Sequence, residues 1–323
     1  MTVGFLVVNK PAGITSHDVV AVVRAVTGIK KVGHTGTLDP FATGVLPLAL
    51  GPATRLIQYL DEAMKVYEVE IALGSATDTG DPTGEVIATC PLPDCDEAHV
   101  RDVLATFLGK RMQEPPQYSA VKVDGKPLYH YARKGQVKRA APREITVHEI
   151  EFVSFTPDTL KVVIHCSRGT YARVLAREIG QALGSEGYLR TLNRSRSGPF
   201  ISADSVDLPT VAEMVSQVPY DDWKDVLLSR GRKEERVPWK PKQEVRGALK
   251  PHVRSPLKSL NHLPIVDVQT QDARRVRNGG TPPVAPSVVG GGRYVVACGP
   301  DLVAVAEATS SGVKTLRVVP ATS

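Results

Sequence analysis

A chain of 323 residues with 42% apolar and 23% charged side chains has enough material for a sizeable core and for more than one domain. Its net charge of +6 and pI near 9.1 suit a polyanionic partner, although such an excess is common among cytosolic proteins. No window holds the roughly eighteen uncharged apolar residues of a membrane helix, and Met1 to Pro11 lacks the pattern of a signal peptide, so the expected location is the cytoplasm.

Gly4 to Asn9 reads as a buried strand, and Ser16 is the predicted N-cap of a helix that carries Val19, Val20, Val22, Val23 and Val26 and ends at Gly28. So valine-rich a helix depends on tertiary packing. The densest motif follows, from Gly33 through His34, Thr35, Gly36, Thr37, Leu38, Asp39 and Pro40 to Leu46. Three glycines and a proline predict an ordered loop, in which glycine allows close backbone approach and Pro40 restricts Asp39 to extended conformations. One carboxylate is presented there. On these residues alone the stretch reads as a turn, with catalysis the minority reading.

Tyr67, Val69, Ile71 and Leu73 alternate with Glu68, Glu70 and Ala72, the period of a half-buried strand. Asp96 is predicted to cap a helix with Val100, Val103, Leu104 and Phe107 on one face, closing near Gly109. Cysteines at 90, 95, 166 and 298 show no paired Cys-x-x-Cys spacing, so neither a metal site nor a disulfide framework is expected, and Cys90 and Cys95 near His99 read as coincidence. Tyr118 to Val123, Ile145 to Phe155 and Leu160 to Cys166 read as strands, and Gly169 opens a helix holding Val174, Leu175, Ile179 and Leu183.

Between Arg230 and Lys258 stand ten Lys or Arg against three Asp or Glu, together with Pro238, Pro241, Pro251 and Pro256. The basic excess of the chain sits there. This segment reads either as an extended arm lying along phosphates or as a solvated tether. Beyond it, Thr270 to Arg277 reads as a helix, and Tyr294 to Ala297, Leu302 to Ala306 and Val313 to Val319 as strands. The expectation is an α+β catalytic domain over 1–229, a basic linker or arm over 230–258 and a small β-rich domain over 259–323.

The Asp39 loop resembles the catalytic aspartate loop of the pseudouridine synthases, and of the TruB family of tRNA pseudouridine-55 synthases in particular. Further blocks agree in order: Lys10 to Ser16, Lys65-Val66-Tyr67, Thr77 to Asp81, Gln113 to Lys122, Cys166 to Arg173 and Leu192 to Gly198. The resemblance spans roughly residues 3 to 200. Glu178, Asn193 and Phe41 depart from the family's usual aspartate, arginine and leucine, and the tail from Leu263 resembles its PUA-like RNA-binding domain less closely. It implies a pseudouridine synthase fold, a mixed and mainly antiparallel sheet flanked by helices, with a C-terminal PUA-like domain.

It also implies a reaction without cofactor or metal, in which the C1′–N1 bond of a uridine breaks, the base rotates and a C1′–C5 bond forms. Asp39 carries over as nucleophile and Arg173 as the cation that keeps it ionised. Tyr67 becomes the aromatic that stacks on the target base, His34 the wedge into the T loop, and Tyr171 and Leu192 the lining of the uracil pocket. Lys10 either contacts RNA or braces the aspartate loop. Without the motifs, Arg173 would be a surface arginine, Tyr67, Tyr171 and Leu192 core residues, and His34 a loop hydrogen-bond partner.

The implied partner is the T stem-loop of tRNA, bound by a monomer with no obligate protein partner and no membrane. Its target uridine is flipped out of the stack. Lys122, Lys126, Arg133, Lys134, Lys138, Arg139 and Arg143 are candidate phosphate contacts, each singly more apt to lie on a solvated face. Two alternatives stand beside this one: a guide-RNA-dependent pseudouridine synthase, and a tRNA-folding or RNA-binding protein on the same scaffold.

Overall fold

The strand with the plainest period-two pattern, Lys65–Leu73, lies inside a sheet, with Val69, Ile71 and Leu73 buried and Glu68 exposed. In the computed structural model, which describes residues 3–61, 64–215, 241–284, 288 and 291–321, the chain forms two compact units. One comprises Met1–Asp39, Val45–Asp61 and Pro199–Ser323, the other Pro40–Gly44 and Glu62–Gly198. Among the described residues no helix is long and apolar enough to cross a membrane.

In the second unit, Lys65–Leu73 pairs antiparallel with Gly187–Ser197 on one side and Thr159–Cys166 on the other. Arg143–Thr156 and then Gly109–Gln113 extend the sheet antiparallel, while Thr43 and Gly44 pair in parallel with Asn193 and Arg194. Helix Ala172–Ala182 turns Leu175, Ala176 and Ile179 inward against this sheet. Glycine sets how near it comes, since a Cβ on Gly180 would stand 2.7 Å from the Gly187 nitrogen. Asp96 caps helix Glu97–Ala105 by accepting from the His99 amide at 2.9 Å, and Val100, Val103 and Leu104 face inward as their spacing predicts.

Two expectations here change. Tyr118 to Val123 is not one strand; only Lys122–Val123 pairs, in a small hairpin with Lys126–Pro127 whose turn, Asp124-Gly125, has both residues at positive φ, the twist a two-residue hairpin favours. Gly109 does not merely close a helix. It begins strand Gly109–Gln113, hidden from the hydrophobic pattern because Lys110 and Met112 are exposed at the sheet edge.

In the first unit, strand Gly4–Lys10 is almost wholly buried and pairs in parallel with Val206–Asp207 and antiparallel with Val253–Arg254. Helix Ser16–Thr27 buries its five valines and stops at Gly28, which adopts the left-handed conformation (φ 65°). Its N-cap is Thr15 rather than Ser16: Thr15 Oγ1 accepts from the Asp18 amide at 3.1 Å and Asp18 returns the bond to the Thr15 amide, closing a capping box. Ser16 is thereby released for another task. Ile265–Asp267, Gly292–Cys298, Asp301–Thr309 and Gly312–Val318 form a four-stranded sheet beside helix Thr270–Arg277. Val295, Leu302, Val305 and Val319 from this region share one core with Val3, Phe5, Val7, Val45 and Leu56.

Residues 230–240 lie outside the described residues, but the remainder of the expected basic arm is folded. Lys242–Leu249 is a helix with Val245 and Leu249 buried, and Arg246 donates to the Thr27 carbonyl at 2.8 Å. Arg254 then donates to the Pro199 carbonyl at 2.9 Å and pairs with Asp204 at 3.0 Å. Counting charge concealed a two-residue apolar stripe at i, i+4 spacing, enough to dock a short helix.

Candidate active site

Lys10, His34 and Asp39 belong to the first unit, and Tyr67, Tyr171, Arg173 and Leu192 to the second. Lys10 ends its strand fully buried, and its ammonium donates to the carbonyls of Pro11 and Ile14, both at 2.8 Å. It braces the turn that leads into helix Ser16–Thr27. At the start of that helix, the Ser16 hydroxyl accepts from the Leu38 amide at 2.8 Å and donates to the Leu38 carbonyl at 3.0 Å. The residue immediately before Asp39 is thus held by both of its backbone groups.

The motif from Gly33 to Leu46 is a loop framed by strands rather than a loop throughout. Val32–His34 pairs antiparallel with Leu48–Leu50, and the Thr35 amide donates to the Pro47 carbonyl at 3.1 Å. His34 is half-buried at the end of its strand, and Asp39 is half-buried in the loop. Arg24 donates to the Val32 carbonyl at 2.6 Å, so the valine-rich helix anchors the entrance of the loop as well as its end.

In the second unit Tyr67 is half-buried, in register with Ile164 on one neighbouring strand and Arg194 on the other. Leu192 is buried opposite Val69, two residues along the same strand, so it shares a sheet face with Tyr67. Arg194 is 1% exposed, an unusually deep position for an arginine. Asn193, where arginine is usual in the resemblance, donates to Glu68 at 3.0 Å and accepts from the Thr43 hydroxyl at 3.1 Å.

Arg173, in the first turn of helix Ala172–Ala182, is 5% exposed. Its guanidinium donates to the Thr79 carbonyl at 2.6 Å and the Tyr118 carbonyl at 2.8 Å, and lies 3.7 Å from the Asp81 carboxylate. Asp81 is itself buried and accepts from the Thr79 hydroxyl at 2.8 Å and the Thr83 amide at 3.0 Å. Two carbonyls and a carboxylate therefore orient the fork in a site where little water screens it.

Tyr171, half-buried, is the N-cap of this helix, and the Gln113 side chain meets its peptide on both sides. Asp81 and Gln113 were not singled out by residue type, and Ser16 only as a helix cap. Their signal was membership of the ordered blocks Lys10–Ser16, Thr77–Asp81 and Gln113–Lys122. Among the described residues, Glu149, Glu151 and His165 could face one metal ion, but the two glutamates are exposed and none of the three belongs to the site described here.

A crystal structure of a Cbf5-Nop10-Gar1 complex contains a chain similar to this one with a TM-score of 0.67 and 27% identity, covering 98% of this chain and 84% of that one. An archaeal box H/ACA sRNP Nop10-Cbf5 complex gives 0.64 and 25%, covering 98% and 85%. The fold is thus that of a pseudouridine synthase, with a C-terminal sheet region consistent with a PUA-like domain.

A family model described as TruB family pseudouridylate synthase, N-terminal domain, matches residues 24–172, which include His34, Asp39, Tyr67 and Tyr171. Curated relatives extend the match. The tRNA pseudouridine synthase B of Geobacter sulfurreducens is 41% identical over 86% of this chain and 82% of its own length, and that of Geobacillus thermodenitrificans 40% identical over 85% and 84%. The chain belongs to the TruB family of pseudouridine synthases.

Proposed function

We propose that this chain converts uridine to pseudouridine at position 55 in the T loop of tRNA, acting alone as a cytoplasmic monomer on RNA without a cofactor. The observation that carries this reading is the fixed Asp39 loop, whose Leu38 is bound through both backbone groups by Ser16. A carboxylate that attacks a sugar carbon or stabilises its developing charge must be held in place before the substrate arrives. Asp39 is assigned that part.

In this reading the target nucleotide leaves the stack at a cost of about a few kcal/mol, with His34 occupying the space among the displaced bases. Tyr67 stacks on the flipped uracil, while Tyr171 and Leu192 line its pocket. Arg173 keeps the carboxylate ionised, a role suited to a buried guanidinium whose direction is set by two carbonyls. Lys10 serves from within, bracing the turn before Ser16. The isomerisation balances without any other reactant: the C1′–N1 bond breaks, the C1′–C5 bond forms, the C5 proton departs and N1 gains one.

The test is to map pseudouridine in a T stem-loop transcript after incubation with the purified protein and with Asp39→Asn. Product at position 55 only, abolished by the substitution while RNA binding stays within a few-fold, is the expected result. Product at another position refutes the positional reading. Silence on bare RNA would favour a guide-dependent enzyme, since the Cbf5 relatives were solved within complexes.

A further inference from the structure

Helix Ala172–Ala182 begins at a point where its N-cap, Tyr171, makes no side-chain capping bond among the described residues. Such an end needs another partner for its backbone. Gln113 supplies it from outside the helix. Its Oε1 accepts from the Tyr171 amide at 2.8 Å, and its Nε2 donates to the Tyr171 carbonyl at 3.2 Å. Gln113 is 2% exposed and ends strand Gly109–Gln113, in register with Arg143.

A primary amide has one acceptor and one donor side, and here both are used on the two backbone groups of one residue, Tyr171. A single hydrogen bond would let that backbone swing about the bond axis. Two fix its position and its direction. The same strand grips the same helix again near its middle, where Arg111 pairs with Glu178 at 2.9 Å. Strand Gly109–Gln113 thus holds the helix both at its start and near its middle.

We propose that Gln113 is a positioning residue for the isomerisation. By holding the Tyr171 backbone it sets the direction in which the Tyr171 ring and, two residues on, the Arg173 guanidinium leave the helix. This inference rests on the reading under Proposed function, in which those two side chains meet the uracil and the carboxylate. An error of about 1 Å in such groups costs on the order of a hundredfold in rate.

Gln113→Glu separates positioning from simple stability. The carboxylate still accepts from the Tyr171 amide but sets a negative oxygen against its carbonyl. Once protonated, the same side chain again offers one acceptor and one donor, as the amide does. Gln113→Met keeps the length and offers neither bond.

Single-turnover pseudouridine formation in a T stem-loop RNA, RNA affinity and the folded fraction are measured for wild type and both variants across pH. Expected is a loss of about ten- to a hundredfold in rate for both variants near neutral pH, with affinity within a few-fold and the folded fraction unchanged. Relative to wild type, Gln113→Glu should regain rate as pH falls, while Gln113→Met should not. Wild-type rates in both variants, equal losses without the pH response, or losses that follow the unfolded fraction would each overturn the inference. Absence of product with wild type refutes the functional reading and this inference with it, whereas an active wild type beside unimpaired variants refutes this inference alone.

Discussion

Ser16 holds Leu38 by both backbone groups, accepting from its amide at 2.8 Å and donating to its carbonyl at 3.0 Å. All of these atoms belong to buried residues. The next residue is Asp39, so one hydroxyl in the first turn of a helix governs where the loop's carboxylate begins.

Ser16→Ala removes the hydroxyl and leaves the Leu38 amide and carbonyl without that partner. Each buried polar group so stranded costs about 1–3 kcal/mol. Chemical denaturation should show a loss of about 2–6 kcal/mol for the two groups together, and pseudouridine formation should slow at unchanged RNA affinity. A variant with wild-type rate and stability would remove Ser16 from the argument.

Arg173→Lys keeps the positive charge and loses the fork. An ammonium on a flexible stem cannot reproduce the paired donation to the Thr79 and Tyr118 carbonyls. We expect turnover to fall by the equivalent of about 1–3 kcal/mol while the protein stays folded. Equal turnover would show that charge alone suffices.

Gly44→Ala is expected to be among the most damaging single changes in the second unit. Gly44 has φ 103°, and an added Cβ would stand 2.6 Å from the Asn193 side-chain oxygen and 2.8 Å from the Arg194 nitrogen. Backbone strain and overpacking cost about 1–3 kcal/mol each. Soluble yield and the denaturation midpoint should both drop, and unchanged values would mean that the parallel Thr43–Gly44 pairing yields easily.

Cys166 is fully buried, and burial pushes its thiol up to about 12. The folded state therefore keeps a proton that the unfolded chain releases above about pH 8.5. Between those values stability should fall with rising pH by up to about 1.4 kcal/mol per unit from this group, with no contribution below the unfolded value. Cys166→Ala should flatten that alkaline slope, and a slope equal to wild type would assign the loss to other groups. In the native protein at pH 8 a thiol reagent should leave Cys166 unmodified.

Strand Lys65–Leu73 was legible because its alternation is unbroken. Strand Gly187–Ser197 was not, for a physical reason. Register shifts between Leu189 and Thr191 and between Arg194 and Arg196 break the period of two, and Arg194 and Ser197 occupy buried positions where apolar residues are expected. The site divides similarly. Asp39, Tyr67 and Arg173 were named through motif resemblance, whereas no hydrophobic pattern records their neighbours: Ser16 and Gln113 bind the backbone of Leu38 and Tyr171, and Asp81 sets its carboxylate beside Arg173.

The shared core of the first unit has a consequence for synthesis. Phe5 and Val7 are packed with Leu302, Val305 and Val319, residues the ribosome delivers about 300 positions later. At about 5–20 residues per second, the amino-terminal strand waits on the order of tens of seconds for the surface that covers it. The second unit, nearly all of it one continuous stretch, can meanwhile fold as it emerges. The strand that leads to Lys10 and the Asp39 loop is thus made well before the residues that cover it, so a nascent chain should gain RNA-modifying activity only once Leu302 to Val319 have emerged to pack against it.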